Sequence, residues 1–379
     1  MKIAFIVENE FQSGGAFSQT LNTLNDIGRN FSYNKKILVF SKFKKNKKFF
    51  KKNDFLYFKN NFLDKILIRI NQIEILRKII FNLGIKTSLE SLLSKKKIDL
   101  IFFPAPSILQ FSIIKIKFIS TIFDLCHLIK TPMSDISKQE FSLREKMNKY
   151  LAKKSCAVVT NSNILKEQIE KKYQLNKELI FTIPFIPKLK QKKFFYKKNF
   201  KYFFYPANFW KHKNHEVILK ASKIILSMGL NNLQVIFTGF DKGNKKKIQE
   251  MIKNYGLEKK IIIKEFVSSR NLKSLYKNSS CLIMTTHYGP TNLPPLEAIF
   301  YNLPIIYNKK FRNEFDENCC YMVNVNNSKD LSKKMISLMK NKYKKKTLIN
   351  AKKFLDKKKE QNLYNIKKLD IFISTLKNN

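Results

Sequence analysis

Short apolar runs separated by longer amphipathic stretches recur along almost the whole chain, and this alternation is the strongest constraint on its fold. In the first half the runs are KIAFIV (2–7), KILVF (36–40), IDLIFFP (98–104), KFISTIFDL (117–125), CAVVTNS (156–162) and LIFTIP (179–184). In the second half they are KYFFYPA (201–207), LQVIFTG (233–239), KIIIKEF (260–266), CLIMTT (281–286) and LPIIYN (303–308). Runs of this length and apolarity, joined by helical patterns, are what strands of a parallel sheet look like when helices cover both faces. Two α/β units follow, and 379 residues suffice for two cores.

Between the two sets lies IPKLKQKKFFYKKNFK (186–201), basic and without clear periodicity, which reads as a linker with the boundary near residue 195. The expected domains are 1–190 and 198–360, followed by a lysine-rich C-terminal helix, 361–379, that packs back toward the first domain. Residues 62–84 show apolar positions at Ile66, Ile70, Ile73, Leu76, Ile80 and Leu83, with Lys65, Arg69, Arg77 and Lys78 around them. Two readings fit: a stripe packed on the first sheet, which is favoured, or a basic amphipathic helix lying in an anionic membrane surface.

The formal net charge is +46, yet only six of the 74 basic residues are arginine. Arginine is the usual reader of guanine edges, whereas lysine supplies a diffuse field. Charge alone is therefore a poor argument for a nucleic-acid partner; AT-rich codon usage, or attraction to anionic lipid or substrate, accounts for it. The five cysteines form no CxxC pair in a chain too large to depend on disulfides, which points to a reducing cytoplasm. MKIAFIVENE has too short an apolar core for a secretory signal, and no apolar stretch reaches the ~18 residues of a membrane span.

Three stretches could carry chemistry. Glycine is scarce, nine in all, yet Gly14 and Gly15 sit side by side after the first strand run. Such a pair is either an ordinary tight turn or a place where backbone amides approach a ligand oxyanion in front of a helix start. After KYFFYPA come Asn208, Lys211, His212, Lys213, Asn214 and His215, at a strand's carboxyl end, where open parallel sheets bind ligands. A lysine there can neutralise a diphosphate; the alternative is a solvated basic loop. His212 and His215 lack the carboxylate or thiolate companions of a metal site, so no metal is expected.

The third stretch is HYGPTNLPPLEAIFYNLPI (287–305). Prolines at a helix start cost no hydrogen bond and preset φ, so the free amides of the turn and first helical residues point at the sheet edge and favour phosphate. Glu297, one turn in, either accepts hydrogen bonds from a ribose diol or complements the helix dipole.

Taken together, these segments resemble the retaining glycosyltransferases of the GT-B fold, the group-one (family-four) class, over nearly the whole chain. GGAFSQTLN resembles the N-terminal glycine loop, STIFDLCHLIKTP the acceptor-side strand end, and CAVVTNSNILKEQI the serine-helix segment. YPANFWKHKNH and GPTNLPPLEAIFYNLPII resemble the two donor-site motifs. The resemblance implies two Rossmann-like domains whose parallel sheets face a central cleft, the first on the acceptor side and the second binding the donor. It implies that Lys213 contacts the donor diphosphate, that Glu297 holds the nucleotide ribose, and that Thr291, Asn292 and Leu293 face the phosphates. Gly14 and Gly15 would approach the same diphosphate, Asn208 would belong to the donor site, and Asp124 and His127 would lie near the sugar and acceptor.

The implied reaction moves a sugar from a nucleotide-diphosphate sugar to a hydroxyl of a glycan or lipid-linked acceptor with retained configuration, in cell-surface polysaccharide or lipopolysaccharide synthesis. Lys213, Asp124 and His127 are the catalytic candidates, no cofactor is needed beyond the nucleotide sugar, and a peripheral position on the inner face of the membrane is compatible. Departures are Gly289 where the family has the first of paired glutamates, Asn208 where it has an arginine, Phe123-Asp124 for His-Asp, and Asn302 and Glu265 for glycines. They keep open a catalytically inactive sugar-nucleotide- or glycan-binding protein and, more remotely, a nucleic-acid-binding protein.

Overall fold

The computed structural model describes residues 1–10, 15–32, 34–50, 54–128, 136–187, 200–265, 267–289, 293–342 and 345–376. Gly14, Thr291, Asn292 and most of the expected linker lie outside the described residues. The chain divides into two compact units: Met1–Leu128, Ser137–Ile186 and Lys359–Asn379 form the first, Ile129–Ile136 and Pro187–Lys358 the second.

The first unit begins β1 (Lys2–Val7), α1 (Gly15–Asn30), β2 (Lys36–Ser41), β3 (Asp54–Tyr57), α2 (Phe62–Ile70), α3 (Glu74–Asn82) and α4 (Ser88–Lys95). It continues β4 (Leu100–Phe102), β5 (Phe118–Thr121), α5 (Lys138–Lys154), β6 (Ala157–Thr160), α6 (Asn163–Tyr173) and β7 (Ile180–Thr182). The strands form one parallel sheet in the order β3-β2-β1-β4-β5-β6-β7. Alternate residues of β1 serve opposite faces, as a strand's two-residue period requires. Ile3, Phe5 and Val7 join a core with Phe17 and Leu24 of α1, whereas Ala4 and Ile6 join one with Leu89 and Leu93 of α4.

The second unit runs β8 (Phe203–Pro206), α7 (His215–Ser227), β9 (Val235–Thr238), α8 (Lys245–Asn254), β10 (Ile261–Lys264), α9 (Ser269–Asn278) and β11 (Cys281–Met284). It ends α10 (Leu293–Phe300), β12 (Ile305–Asn308), β13 (Tyr321–Val323), α11 (Ser328–Met339) and α12 (Lys345–Thr375). Its parallel sheet has the order β10-β9-β8-β11-β12-β13. The 31-residue α12 serves both units. Ala351 and Leu355 belong to the second core, and Ile366, Leu369 and Ile373 are fully buried in the first.

All eleven apolar runs form strands, and two further strands, β3 and β13, were not foreseen. Each is the outer strand of its sheet. An edge strand pairs on one side only and is half covered, so DFLY and YMV lack the apolar density of the inner strands.

Residues 62–84 form two helices, α2 and α3, and the favoured expectation of a stripe packed on the sheet is not met. Ile66, Ile73, Leu76 and Leu83 are 38%, 52%, 37% and 66% exposed, and Ile68 supplies the core contact instead. The break follows from Asn71, a buried residue whose amide donates to the Phe111 carbonyl (2.9 Å). Arg77 then takes the inward position of α3, donating to the Asn71 carbonyl (3.2 Å) with its guanidinium 4.6 Å from the Tyr150 ring centre.

Candidate functional site

In a parallel sheet the carboxyl ends of all strands open on one edge, and the loops that leave neighbouring strands meet there. In the second unit β8 and β11 are neighbours, paired Phe203 to Cys281 and Phe204 to Leu282. The loop after β8 is held from both sides. Asn208 accepts a hydrogen bond from the Phe240 amide (2.9 Å), which ties it to the loop after β9. Gly239 makes this approach possible: at φ +157° a Cβ would lie 2.5 Å from the Ala207 carbonyl oxygen. Asn208 therefore has a positioning contact where the family's pattern has an arginine.

Further along, the Lys213 carbonyl accepts from the Tyr205 hydroxyl (2.7 Å), and the Thr285 hydroxyl lies 3.1 Å from the same carbonyl and 3.0 Å from that of Asn214. The His287 amide donates to the His212 carbonyl (2.8 Å), completing the seam between the loops after β8 and β11. With its backbone fixed, Lys213 holds its ammonium 3.5 Å from the Thr286 hydroxyl. The His212 ring stacks on Tyr288 at 5.4 Å, and the Lys310 ammonium, from the turn after β12, sits 5.9 Å from the centre of the Tyr288 ring. Asn308 steadies this corner by donating to the Thr286 carbonyl (2.9 Å).

α10 starts at Leu293 and carries Glu297 one turn in. The Tyr276 hydroxyl donates to Glu297 Oε2 (2.7 Å); the other oxygen has no hydrogen-bond partner among the described residues. Burial pushes the Glu297 carboxyl above the ordinary range, opposed by the tyrosine hydrogen bond. Tyr276 is itself buried and stacks on Tyr301 at 5.3 Å, so it is a rigid support.

Two departures from the family's pattern have local reasons. Gly289 sits at φ +87° and Asn302 at φ +53°, left-handed conformations that favour glycine and, among other residues, asparagine. His215 is a core residue: fully buried, stacked on Phe209 at 4.7 Å and edge-on to Phe237 at 5.0 Å. Burial lowers its pKa to about 3.

The carboxyl edge of the first sheet is different in chemistry. Gly15 is the first residue of α1, after the end of β1. Glu8, just past β1, is bridged to Lys42 (2.7 Å) past β2 and accepts a hydrogen bond from Ser107 past β4. Burial raises the Glu8 carboxyl, although Lys42 opposes this. Beyond β5, Asp124 accepts from the Cys126 amide (2.9 Å) and faces Arg144 at 3.4 Å. The Asn161 amide donates to the Phe123 carbonyl (2.9 Å), so the segment after β6 fixes this loop.

His127 is buried, with Nε2 2.8 Å from Glu145 Oε1, which also accepts from the Tyr173 hydroxyl (2.6 Å). Burial pushes Glu145 upward, but the hydrogen bonds from Tyr173 and His127 outweigh it and leave the carboxyl below the usual range. The structure thus joins Lys213 to the β11 loop, keeps Glu297 on the adjoining helix, and gives Asp124 and His127 separate protein partners. Glu8, Glu145, Tyr276, Thr285, Thr286 and Lys310 were not singled out from sequence. The first threonines after CLIM were the available signal, since they close a strand at a candidate edge.

Among the described residues no group of His, Cys, Asp and Glu is arranged to hold a metal ion, and no helix is long and apolar enough to cross a membrane.

Residues 186–354 match the family model of glycosyl transferases group 1. The O-antigen chain mannosyltransferase RfbU of Salmonella typhimurium is 28% identical over 176 residues, 46% of this chain and 47% of that protein. The match thus spans about half the length of this curated relative. Among solved structures, Anabaena HepE in complex with UDP-glucose aligns with a TM-score of 0.70 at 13% identity, covering 100% of both chains. A glycosyltransferase from Rickettsia africae ESF-5 aligns with a TM-score of 0.68 at 17% identity, covering 100% of this chain and 99% of that one. The chain has the two-sheet architecture of GT-B glycosyltransferases, and its residues 186–354 resemble the glycosyl transferases group 1.

Proposed function

We propose that the protein transfers a sugar from a nucleotide-diphosphate sugar to a hydroxyl of a glycan or lipid-linked acceptor, retaining anomeric configuration, in the synthesis of a cell-surface polysaccharide. In this reading the second unit, within 198–360, binds the donor and the first, within 1–190, the acceptor. The carrying observation is the seam between the loops after β8 and β11, where the Tyr205 and Thr285 hydroxyls hold the Lys213 carbonyl, the His287 amide holds that of His212, and the Lys213 ammonium is set at the carboxyl edge.

Breaking the anomeric C–O bond puts negative charge on the departing diphosphate. A cation and backbone amides already in place stabilise that charge without reorganising, which is where electrostatic catalysis is most effective. Lys213 supplies the cation, and the resemblance assigns phosphate contacts to Thr291, Asn292 and Leu293 in the second unit and, separately, to Gly14 and Gly15 in the first. Glu297 takes the ribose diol with the oxygen that Tyr276 leaves unoccupied. Asp124 and His127 shape the acceptor side, with Asp124 aligned by Arg144 and His127 by Glu145. The departing phosphate takes the acceptor's proton on the same face, so no strong protein base is required. The related mannosyltransferase of O-antigen chains supports the acceptor class, and HepE with UDP-glucose supports a nucleotide-sugar donor.

A screen of UDP, GDP, ADP and dTDP sugars for thermal shift and for release of nucleoside diphosphate tests this reading. One donor class should both stabilise the protein and be turned over. Stabilisation without turnover of any sugar nucleotide, with acceptor glycans supplied, would favour the inactive binding protein.

A further inference from the structure

We infer that the α2–α3 pair is a docking surface for an anionic phospholipid bilayer. Among the described residues 21 large apolar side chains are exposed, and ten of them lie between residues 62 and 85. Phe62, Leu63, Ile75 and Leu83 are 75%, 65%, 72% and 66% exposed. So dense an apolar patch on a water-facing helix pair signals an interaction site.

The surrounding charge selects the occupant. Residues 59–86 contain five exposed basic side chains, Lys59, Lys65, Arg69, Lys78 and Lys86, besides the inward-facing Arg77, against two acidic ones. Both acids are engaged within the protein: Asp64 is buried and accepts from the Asn61 and Ser88 amides (2.8 and 2.7 Å), and Glu74 faces Lys153 at 3.6 Å. Beside α2 a cavity of about 530 Å³ continues this chemistry, lined by Lys42, Lys59, Lys65 and Arg69 together with Phe58 and Ile108. A second copy of the same face would set cations against cations. An anionic lipid surface meets both demands: headgroups pair with the lysines while the apolar side chains enter the acyl boundary. At nine residues each, α2 and α3 are far shorter than the ~20 residues of a span, so they lie in the interface rather than cross it. This inference stands apart from the proposed activity.

The test is co-sedimentation of the full chain with vesicles of phosphatidylcholine alone or with phosphatidylglycerol added, at fixed ionic strength. Binding should require the anionic lipid. The quadruple variant Phe62→Ser, Leu63→Ser, Ile75→Ser, Leu83→Ser keeps the net charge and the fold, its side chains being exposed, and should lose at least about tenfold in partitioning. The control Tyr364→Ser, Ile371→Ser, at exposed positions of α12, should bind as the unmodified chain does. Equal binding by the quadruple variant would overturn the proposal by reducing it to diffuse lysine attraction. Absence of vesicle binding would overturn it too, as would lipid-free self-association abolished by the same variant, which would assign the face to a second copy.

Discussion

The two sheets share a construction and differ in what they gather at their carboxyl edges. The second sheet collects a lysine, hydroxyls and a proline-set helix start. The first collects carboxylates, Glu8 and Asp124 with Glu145 behind them, each held by a cation, hydroxyl or histidine of the same unit. The cationic edge of the second sheet suits a leaving diphosphate, and the carboxylate edge of the first suits hydroxyls. The same architecture thus offers opposite electrostatics, set by side chains within a few residues of the strand ends.

Removing the cation should separate the edges most sharply. Lys213→Ala is expected to lower kcat/KM by ~10²–10³, the loss typical of one preorganised donor at a developing oxyanion. Steady-state kinetics with saturating acceptor would show it, and near-normal transfer would break the contrast. Next comes Glu297→Ala, for which loss of a hydrogen bond to a charged group predicts nucleotide binding weaker by roughly 10- to 100-fold. Unchanged calorimetric affinity would remove the ribose role. Because burial raises this carboxyl, wild-type affinity should begin to fall, as pH drops, above the ordinary carboxylate range.

On the acidic edge the effect should be smaller and of a different kind. Asp124→Asn is expected to raise acceptor KM by about tenfold while leaving nucleotide affinity unchanged, since it touches uniform binding on one side only. Equal losses on donor and acceptor would erase the distinction between the edges.

The smallest effect concerns stability alone. His215 has a pKa lowered to about 3, below its unfolded value, so its contribution is present above pH ~6.5 and is lost as pH falls. From pH 7 to 6 this costs less than about 1 kcal/mol. His215→Phe, filling the same aromatic slot, should abolish that part of the pH slope in thermal unfolding; an identical slope would contradict the assignment.

The inner strands were legible because burial on both faces compresses them into unbroken apolar runs. β3 and β13 were not, since half of each looks outward. Lys213 and Glu297 stood out through their place after a strand and within a helix start. Their supports could not, because Tyr276 reaches Glu297 across 21 residues and Thr285 reaches Lys213 across 72. Amphipathic pattern was the least decisive signal. Ile366, Leu369 and Ile373 of α12 are fully buried, whereas much of the comparable stripe of α2 and α3 stays uncovered. Periodicity reports that a helix has an apolar face, not what covers it, and Arg77 in the inward position of α3 is invisible to it.

The central claim is that the carboxyl edge of the second sheet recognises the diphosphate of the donor through Lys213. Calorimetric titration of the matching nucleoside diphosphate and monophosphate into the wild type and Lys213→Ala tests it most directly. A diphosphate preference in the wild type that shrinks at least about tenfold in the variant, with monophosphate affinity little changed, is the predicted result. A preference retained in full by Lys213→Ala would contradict the account.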